Sequence, residues 1–279
     1  MLYIVATPIG NLQDLSYRAI AVLSQVDLIV AEDTRRSKIL LEHYSINTKI
    51  ISLHEHNETQ IVAKLLELLQ QGQKLALISD AGTPLISDPG YHLVKQCHLH
   101  QIAVSPVPGA SATLAALSCS GLSTDQFIFI GFLPAKEQQR QQKLLELKYQ
   151  SRTMVFFEAP HRILATIEDM LPVFNADRHV AFCRELTKQF ETIKLDRLST
   201  ILEFIKSDPN QLKGEIVLVV SGFTQQNQPT NFQQIDSQTH NMLKILLEEL
   251  PLSKAASVAA KITGIPKKLL YDYWLSLKS

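Results

Sequence analysis

The sequence predicts an α/β fold: two α/β domains, then a small helical domain. Three observations predict it. Short apolar runs alternate with stretches of helical spacing through residues 2–220. Several of those runs end in turns marked by Gly or Pro, most plainly SDAGTPLISDPG at 79–90. Chains that turn like this at strand ends form ligand crevices in parallel sheets. Past a Gln/Asn/Thr-rich span at 225–240, only helical periodicity remains. The expected boundaries are 1–122, 123–224, a linker at 225–240, and a helix-turn-helix-like unit at 241–279.

The first domain reads as strand and helix in alternation. Residues 2–6 make a buried strand with an exit loop at 7–11. Asp14 is expected to cap a helix whose stripe is Leu15, Ala19, Ile20 and Leu23. Strands follow at 26–31 and 49–53, separated by a helix through Ile39, Leu40 and Tyr44. Ile61, Leu65, Leu66 and Leu69 form another stripe, stopped at Gly72. The run at 75–78 is the strand before the double turn. A helix at 91–97, a strand at 101–104 and a small-residue helix at 110–118 complete the domain.

The second domain carries strands at 127–130, 153–157, 179–183 and 216–220, with an antiparallel partner expected at 191–195. Gly131 reads as the exit of the first of these. Helices are expected at 136–149, 163–171 and 198–205. In the tail, Met242, Ile245, Leu246 and Leu250 make one stripe, and helices at 252–262 and 267–277 flank a Gly-Ile-Pro turn. The tail reads either as a cap over a domain edge or as a nucleic-acid contact.

Composition narrows the function. The chain has 279 residues, 46% hydrophobic, with 27 basic and 27 acidic side chains. Zero net charge means that any nucleic-acid contact must be a local patch. Three scattered cysteines, Cys97, Cys119 and Cys183, argue against a disulfide framework. His54, Glu55 and His56 are too poor a pattern for a metal, and no metal is expected. No signal peptide or membrane span is expected, so the chain reads as cytoplasmic.

The chemistry on offer is mostly backbone. There is no GxGxxG after the first strand, no GxxxxGK[ST] and no GxSxG. Gly10, Gly82, Gly90, Gly109, Gly131 and Gly214 instead lie near strand ends. That inventory suits a bulky cofactor held by amides and carbonyls, and methyl transfer from S-adenosylmethionine fits it. Polar groups expected at the crevice rim include Asp33, Arg35, Glu158, His161, Arg162, Arg184, Glu185 and Lys188. A bland reading, in which the bends are merely turns, stays open on pattern alone.

Taken together the motifs resemble the tetrapyrrole (corrin/porphyrin) methylase superfamily. They are ATPIGNLQDLSYRA at 6–19, AEDTR at 31–35, SDAGTPLISDPG at 79–90, SPVPGASA at 105–112, FIGFLP at 129–134, FFEAPHRI at 156–163, RELTKQFE at 184–191 and GEIVLVVSG at 214–222. The resemblance implies a homodimer, with S-adenosylmethionine in the cleft between two α/β domains. It places Pro8, the turn Ser79, Asp80, Ala81 and Gly82, and the apolar Ile86 beside the cofactor. Ser111 and Ala112 resemble a third cofactor loop, and Phe157, Leu186, Gly214 and Glu215 resemble second-domain contacts.

Thr7-Pro8-Ile9-Gly10 departs from the GxGxG opening of members acting on tetrapyrroles and is similar to the ribosomal RNA branch. That branch implies methylation of a cytidine ribose 2′-hydroxyl in the decoding region of 16S rRNA, with Glu158, His161, Arg184, Glu185 and Lys188 on the acceptor side. A small-molecule methylase and a non-enzymatic RNA-binding protein are the alternatives.

Overall fold

A computed structural model of the chain describes residues 1–54, 58–224, 235 and 237–277. It divides into two units, Met1–Phe223 and Thr224–Ser279. Most of the span expected as a linker, together with Glu55 and His56, lies outside the described residues.

The first unit holds two five-stranded sheets. The first is built from β1 (Leu2–Val5), β2 (Leu28–Ala31), β3 (Ile50–Ser52), β4 (Leu75–Ile78) and β5 (Val104–Val107), in the order β3-β2-β4-β1-β5. All its pairings are parallel. β2 and β4 are buried along their whole length, which is why their sequences are unbroken apolar runs. Helices α1 (Tyr17–Gln25) and α2 (Thr34–His43) share one apolar cluster on one face, while α3 (Glu58–Gln70) and α4 (Tyr91–Leu99) share another. Helix α5 (Ala112–Cys119) follows β5.

Two expectations are corrected here. Asp14 ends a short 3-10 turn, and Ser16 caps α1, its hydroxyl accepting from the Ala19 amide at 3.1 Å. The last strand of the sheet begins at Val104 rather than Gln101. Gln101 takes φ +55° and the Ile102 amide bonds back to Cys97 O, so these residues close α4 instead. Pro106 then sits within β5, which an edge strand tolerates because the missing N–H can face away from the ladder.

The second sheet comprises β6 (Phe127–Phe132), β7 (Thr153–Glu158), β8 (His179–Arg184), β9 (Thr192–Arg197) and β10 (Ile216–Val220), ordered β6-β7-β10-β8-β9. Only the β6–β7 pair is parallel. Gly131 is a bulge inside β6, with φ +74° and a register shift after Phe129, so the strand runs through the residue expected to end it. Helices α6 (Glu137–Leu147), α7 (Ile163–Phe174) and α8 (Leu198–Ser207) cover one face. The other face packs on α5 of the first sheet, joining Ala116, Leu117 and Ile9 to Val155, Ala181, Cys183 and Val219 in one shared core.

The second unit is three helices, α9 (Ser237–Glu249), α10 (Leu252–Thr263) and α11 (Lys267–Ser276). Ala255, Ala256 and Ala259 on α10 let the helices approach closely around Leu243 and Leu270. Gly264, at φ +74°, ends α10 with its amide on Ala260 O. No helix among the described residues is long and apolar enough to cross a membrane.

Candidate active site

The strand ends of the first sheet are tied together by backbone. The loop leaving β1 and the turn leaving β4 exchange two hydrogen bonds, Thr7 N–H to Gly82 O at 2.9 Å and Gly82 N–H to Thr7 O at 3.0 Å. Thr7 Oγ1 also donates to Ser79 O. Asp80 Oδ1 accepts from the Asp33 amide at 3.1 Å, and Asp80 Oδ2 lies 3.3 Å from Arg36. Three strand ends thus become one rigid shelf. Gly82, at φ +81°, is required in that turn, because a side chain there would be strained and would press on Ile9.

Above the shelf lies a cavity of about 230 Å³. Ala81, Gly82 and Ile86 line it from the β4 turn, Ser111, Ala112 and Thr113 from the start of α5. The second sheet contributes Phe132, Phe157, Glu158, Leu186 and Glu215. Phe157 is held in place by two edge contacts, with ring centroids 4.9 Å from Phe129 and 5.7 Å from Phe132. Ligand sites usually span ~300–1,000 Å³, so this one is tight for a nucleoside-sized guest.

Two loops face each other across the cavity with the same backbone device. Ile86 lies between Leu85 and Ser87, whose φ angles are +72° and +71°. Leu186 lies between Glu185 and Thr187, at +51° and +67°. Left-handed backbone is costly for these residue types, most of all for the β-branched Thr187. In each loop the alternation leaves one aliphatic side chain in the cavity wall.

The loops differ in charge. Lys188 Nζ lies 2.8 Å from Glu185 Oε1 and 2.9 Å from Glu215 Oε2, and its stem crosses Gly10, where a Cβ would fall 2.4 Å from Lys188 Cγ. Gly214 leaves room for the Glu185 side chain in the same way. Burial pushes the Glu185 carboxyl up, but hydrogen bonds from Lys188 and the Glu215 amide outweigh it and hold the group below its usual range. Burial likewise pulls Lys188 down, and its two carboxylate partners more than reverse it. On the opposite loop, burial pushes Asp88 above the usual range; a Ser79 hydrogen bond opposes this and the Asp80 charge adds to it. Glu32 is raised by burial and by Asp88 and Asp80.

Residues 1–202 match the family model of Tetrapyrrole (Corrin/Porphyrin) Methylases. The chain belongs to the tetrapyrrole methylase family. Residues 233–278 match the RsmI C-terminal HTH domain. The chain is 50% identical to "Ribosomal RNA small subunit methyltransferase I" of Pasteurella multocida over 99% of its length and 96% of that protein. It is 47% identical to the protein of the same name from Escherichia coli O157:H7, over 98% and 94%. Cobalt precorrin-4 methyltransferase (CbiF) shares the fold at a TM-score of 0.59 and 14% identity, covering 79% of this chain and 94% of that one. So does a uroporphyrin-III C-methyl transferase from Thermus thermophilus complexed with S-adenyl homocysteine, at 0.55 and 16%, over 79% and 96%.

In this tetrapyrrole methylase, nine residues singled out from the sequence line the cavity: Ala81, Gly82, Ile86, Ser111, Ala112, Phe157, Glu158, Leu186 and Glu215. Pro8, Ser79, Asp80 and Gly214 stand behind it. Pro8 is buried beside the lining residue Ile9; Ser79 and Asp80 brace the shelf; Gly214 makes space for Glu185. Glu185 and Lys188 form the neutralised loop at its edge.

Arg184 is turned inward. Its guanidinium donates to Gln211 Oε1, Lys213 O, Phe190 O and Thr192 Oγ1. His161 is exposed and does not reach the cavity. Glu158 reaches the wall but is engaged, accepting from the Thr166 hydroxyl at 2.6 Å and the Ala159 amide at 2.8 Å, with Arg162 Nε at 3.3 Å. Sequence reasoning missed Ile9, Thr83, Ser87, Asp88, Thr113, Phe132, Ile216 and Val217 in the lining. Asp88 was readable as part of the Ser-Asp-Pro-Gly turn at 87–90; Thr113 falls one residue past the recognised loop. Of the three side chains weighed for a metal, His54 is described, while Glu55 and His56 lie outside the described residues.

Proposed function

We infer that this chain methylates the ribose 2′-hydroxyl of a cytidine in the decoding region of 16S ribosomal RNA. The methyl donor is S-adenosylmethionine. The observation that carries the reading is the near-full-length similarity to relatives named for small-subunit ribosomal RNA methylation, which includes the residues lining the cavity and the helical tail. The chemistry of the lining suits the donor: Phe157 gives a pinned flat wall for a purine, the aliphatic Ile86 and Leu186 flank it, and the buried Thr113 hydroxyl has no partner in the protein.

When bound, the donor supplies an electrophilic sulfonium methyl group. The protein's task is then to align the ribose hydroxyl, exclude water and accept a proton. Asp88 is our choice for the acceptor. It lines the cavity, carries no ion pair among the described residues and has a raised proton affinity. Glu158 and Arg184 act as positioning residues, since both are held by several hydrogen bonds. Glu185 and Lys188 close the opposite side, and the exposed His161 faces RNA at the rim. Pro8, Ser79, Asp80 and Gly214 support the donor pocket without touching its contents. The active species is expected to be a cytoplasmic homodimer, acting on RNA within the small ribosomal subunit.

The test is incubation of the protein with labelled S-adenosylmethionine and 30S particles, followed by nucleoside mass spectrometry. A 2′-O-methylcytidine at one position is expected. Base methylation, or transfer only to a tetrapyrrole, would refute the reading. Light scattering of the purified chain checks the dimer.

A further inference from the structure

The arginines and lysines around the cavity are mostly committed to the protein itself. Arg184 is turned inward, and Arg162 Nη2 donates to the carbonyls of Leu133 and Pro134. Lys188 is held by two carboxylates. Arg35 and Arg36 differ. They lie in the first turn of α2, directly after β2, and their side chains are 89% and 69% exposed.

Both are nevertheless held in place. Arg35 Nε and Nη2 donate to the two Asp33 oxygens at 3.1 and 2.8 Å. Those bonds hold the Asp33 carboxyl down to about 2, so the pair keeps both charges at neutral pH. Arg36 Nη1 lies 3.3 Å from Asp80 Oδ2, and Asp80 directly precedes Ala81 in the cavity wall. A guanidinium has more N–H donors than one carboxylate uses, so each arginine keeps donors open to solvent. Holding the forks in advance reduces the side-chain freedom lost when an anion docks.

Beside this pair the charge changes sign. Glu32 is raised by burial, then by Asp88 and Asp80, and lowered by Arg36, so these charges share one small volume. Asp88, Glu158 and Glu215 line the cavity, and no lining residue among the described ones is Lys or Arg. A phosphate is repelled from such an interior and attracted to the arginines at its edge. A ribose hydroxyl is neutral and enters without that penalty. In RNA the 2′-hydroxyl and the 3′-phosphate sit on neighbouring ring carbons. Fixing the phosphate at the rim therefore sets the reach of the hydroxyl toward Asp88.

We propose that Arg35 and Arg36 grip the phosphodiester on the 3′ side of the reacting ribose, making the start of α2 the docking point for the RNA backbone. This rests on the ribosomal RNA reading above and names the surface that receives the substrate of that site.

Steady-state methyl transfer to 30S particles tests it. Arg36→Gln is expected to raise KM for the particles about tenfold with kcat within about twofold, as for loss of one charge-assisted contact made equally in ground and transition states. The double variant Arg35→Gln, Arg36→Gln should raise KM about a hundredfold. The slope of log kcat/KM against log salt should become shallower by about one for each arginine removed. Arg36→Lys should recover part of the loss, since Lys keeps the charge but not the fork. Melting temperature and S-adenosylhomocysteine affinity should match wild type, because both side chains are largely exposed. Arg197→Gln is the control: Arg197 is another exposed arginine paired with an aspartate, Asp177, but it lies at the end of β9 away from the 185–191 loop, and KM should not move. An unchanged KM in the double variant, or an equal rise in Arg197→Gln, would overturn the assignment. A wild-type chain that transfers no methyl group to 30S particles would overturn the RNA reading, and this inference with it.

Discussion

The loop at 82–90 and the loop at 185–191 use the same left-handed alternation to place an aliphatic residue in the cavity wall, yet their charges are handled oppositely. In the second loop Lys188 satisfies two carboxylates. In the first, Asp88 is raised by burial and by the Asp80 charge, and it in turn helps to raise Glu32 at the end of β2. One loop is a fastener; the other keeps a desolvated carboxylate at a cost to the resting protein. Such division is expected where a chemical step needs a group that folding alone would not favour.

The largest effect should come from Asp88→Asn. Turnover should fall by about a hundredfold or more, as for loss of a general base, with S-adenosylhomocysteine binding little changed. Stability should move the other way. A carboxyl raised in the folded state stabilises fully below its ordinary value of 3.8 and loses that contribution as pH rises through its folded value. At neutral pH the charged group is therefore a burden, and the variant should melt above wild type. A variant that keeps full activity would remove the distinction between the two loops.

Gly214→Val comes next. It places a β-branched residue at φ +82° with its Cβ about 2.5 Å from the Glu185 carboxyl carbon. A loss of ~2 kcal/mol or more in urea unfolding is expected. Lys188→Met should cost ~1 kcal/mol, because the pairs are partly solvated. Its pH signature is specific. Glu185 is lowered, so its contribution is present above 4.5 and lost as pH falls through its folded value. Lys188 is raised, so its part is present below 10.5 and lost as pH climbs through its folded value. The variant should flatten both limbs of the stability profile. The smallest effect belongs to Ser87→Gly, where relief of the left-handed strain and the added unfolded-state freedom nearly cancel, leaving ~0.5 kcal/mol of stabilisation. A destabilised variant would show that the conformation at Ser87 carries no strain.

Much of this was legible in the residues. The buried strands β2 and β4 read directly as apolar runs, because both faces of a parallel sheet are covered. The misplaced elements have local causes that tertiary structure overrode. Gly131 was read as a strand exit and is a bulge; Gln101 was read as strand and closes a helix. In the site, the β4 turn and the α5 loop were recognisable because they are contiguous motifs. The role of Lys188 was not, since its two partners come from its own loop and from Glu215, which only the sheet brings near. Nor could Arg184 be distinguished from a free surface arginine, because Gln211 and Lys213 converge on it only after β10 pairs with β8.

The shared core under α5 has an energetic corollary. Swinging the halves of the enzyme apart would bring Val155, Ala181, Cys183 and Leu117 into water, at roughly 25 cal/mol for every Å² uncovered. Ile86, 43% exposed, carries no such penalty, whereas Leu186 belongs to the shared core and is held with it, so the two sides of the cavity differ in how cheaply they can be uncovered.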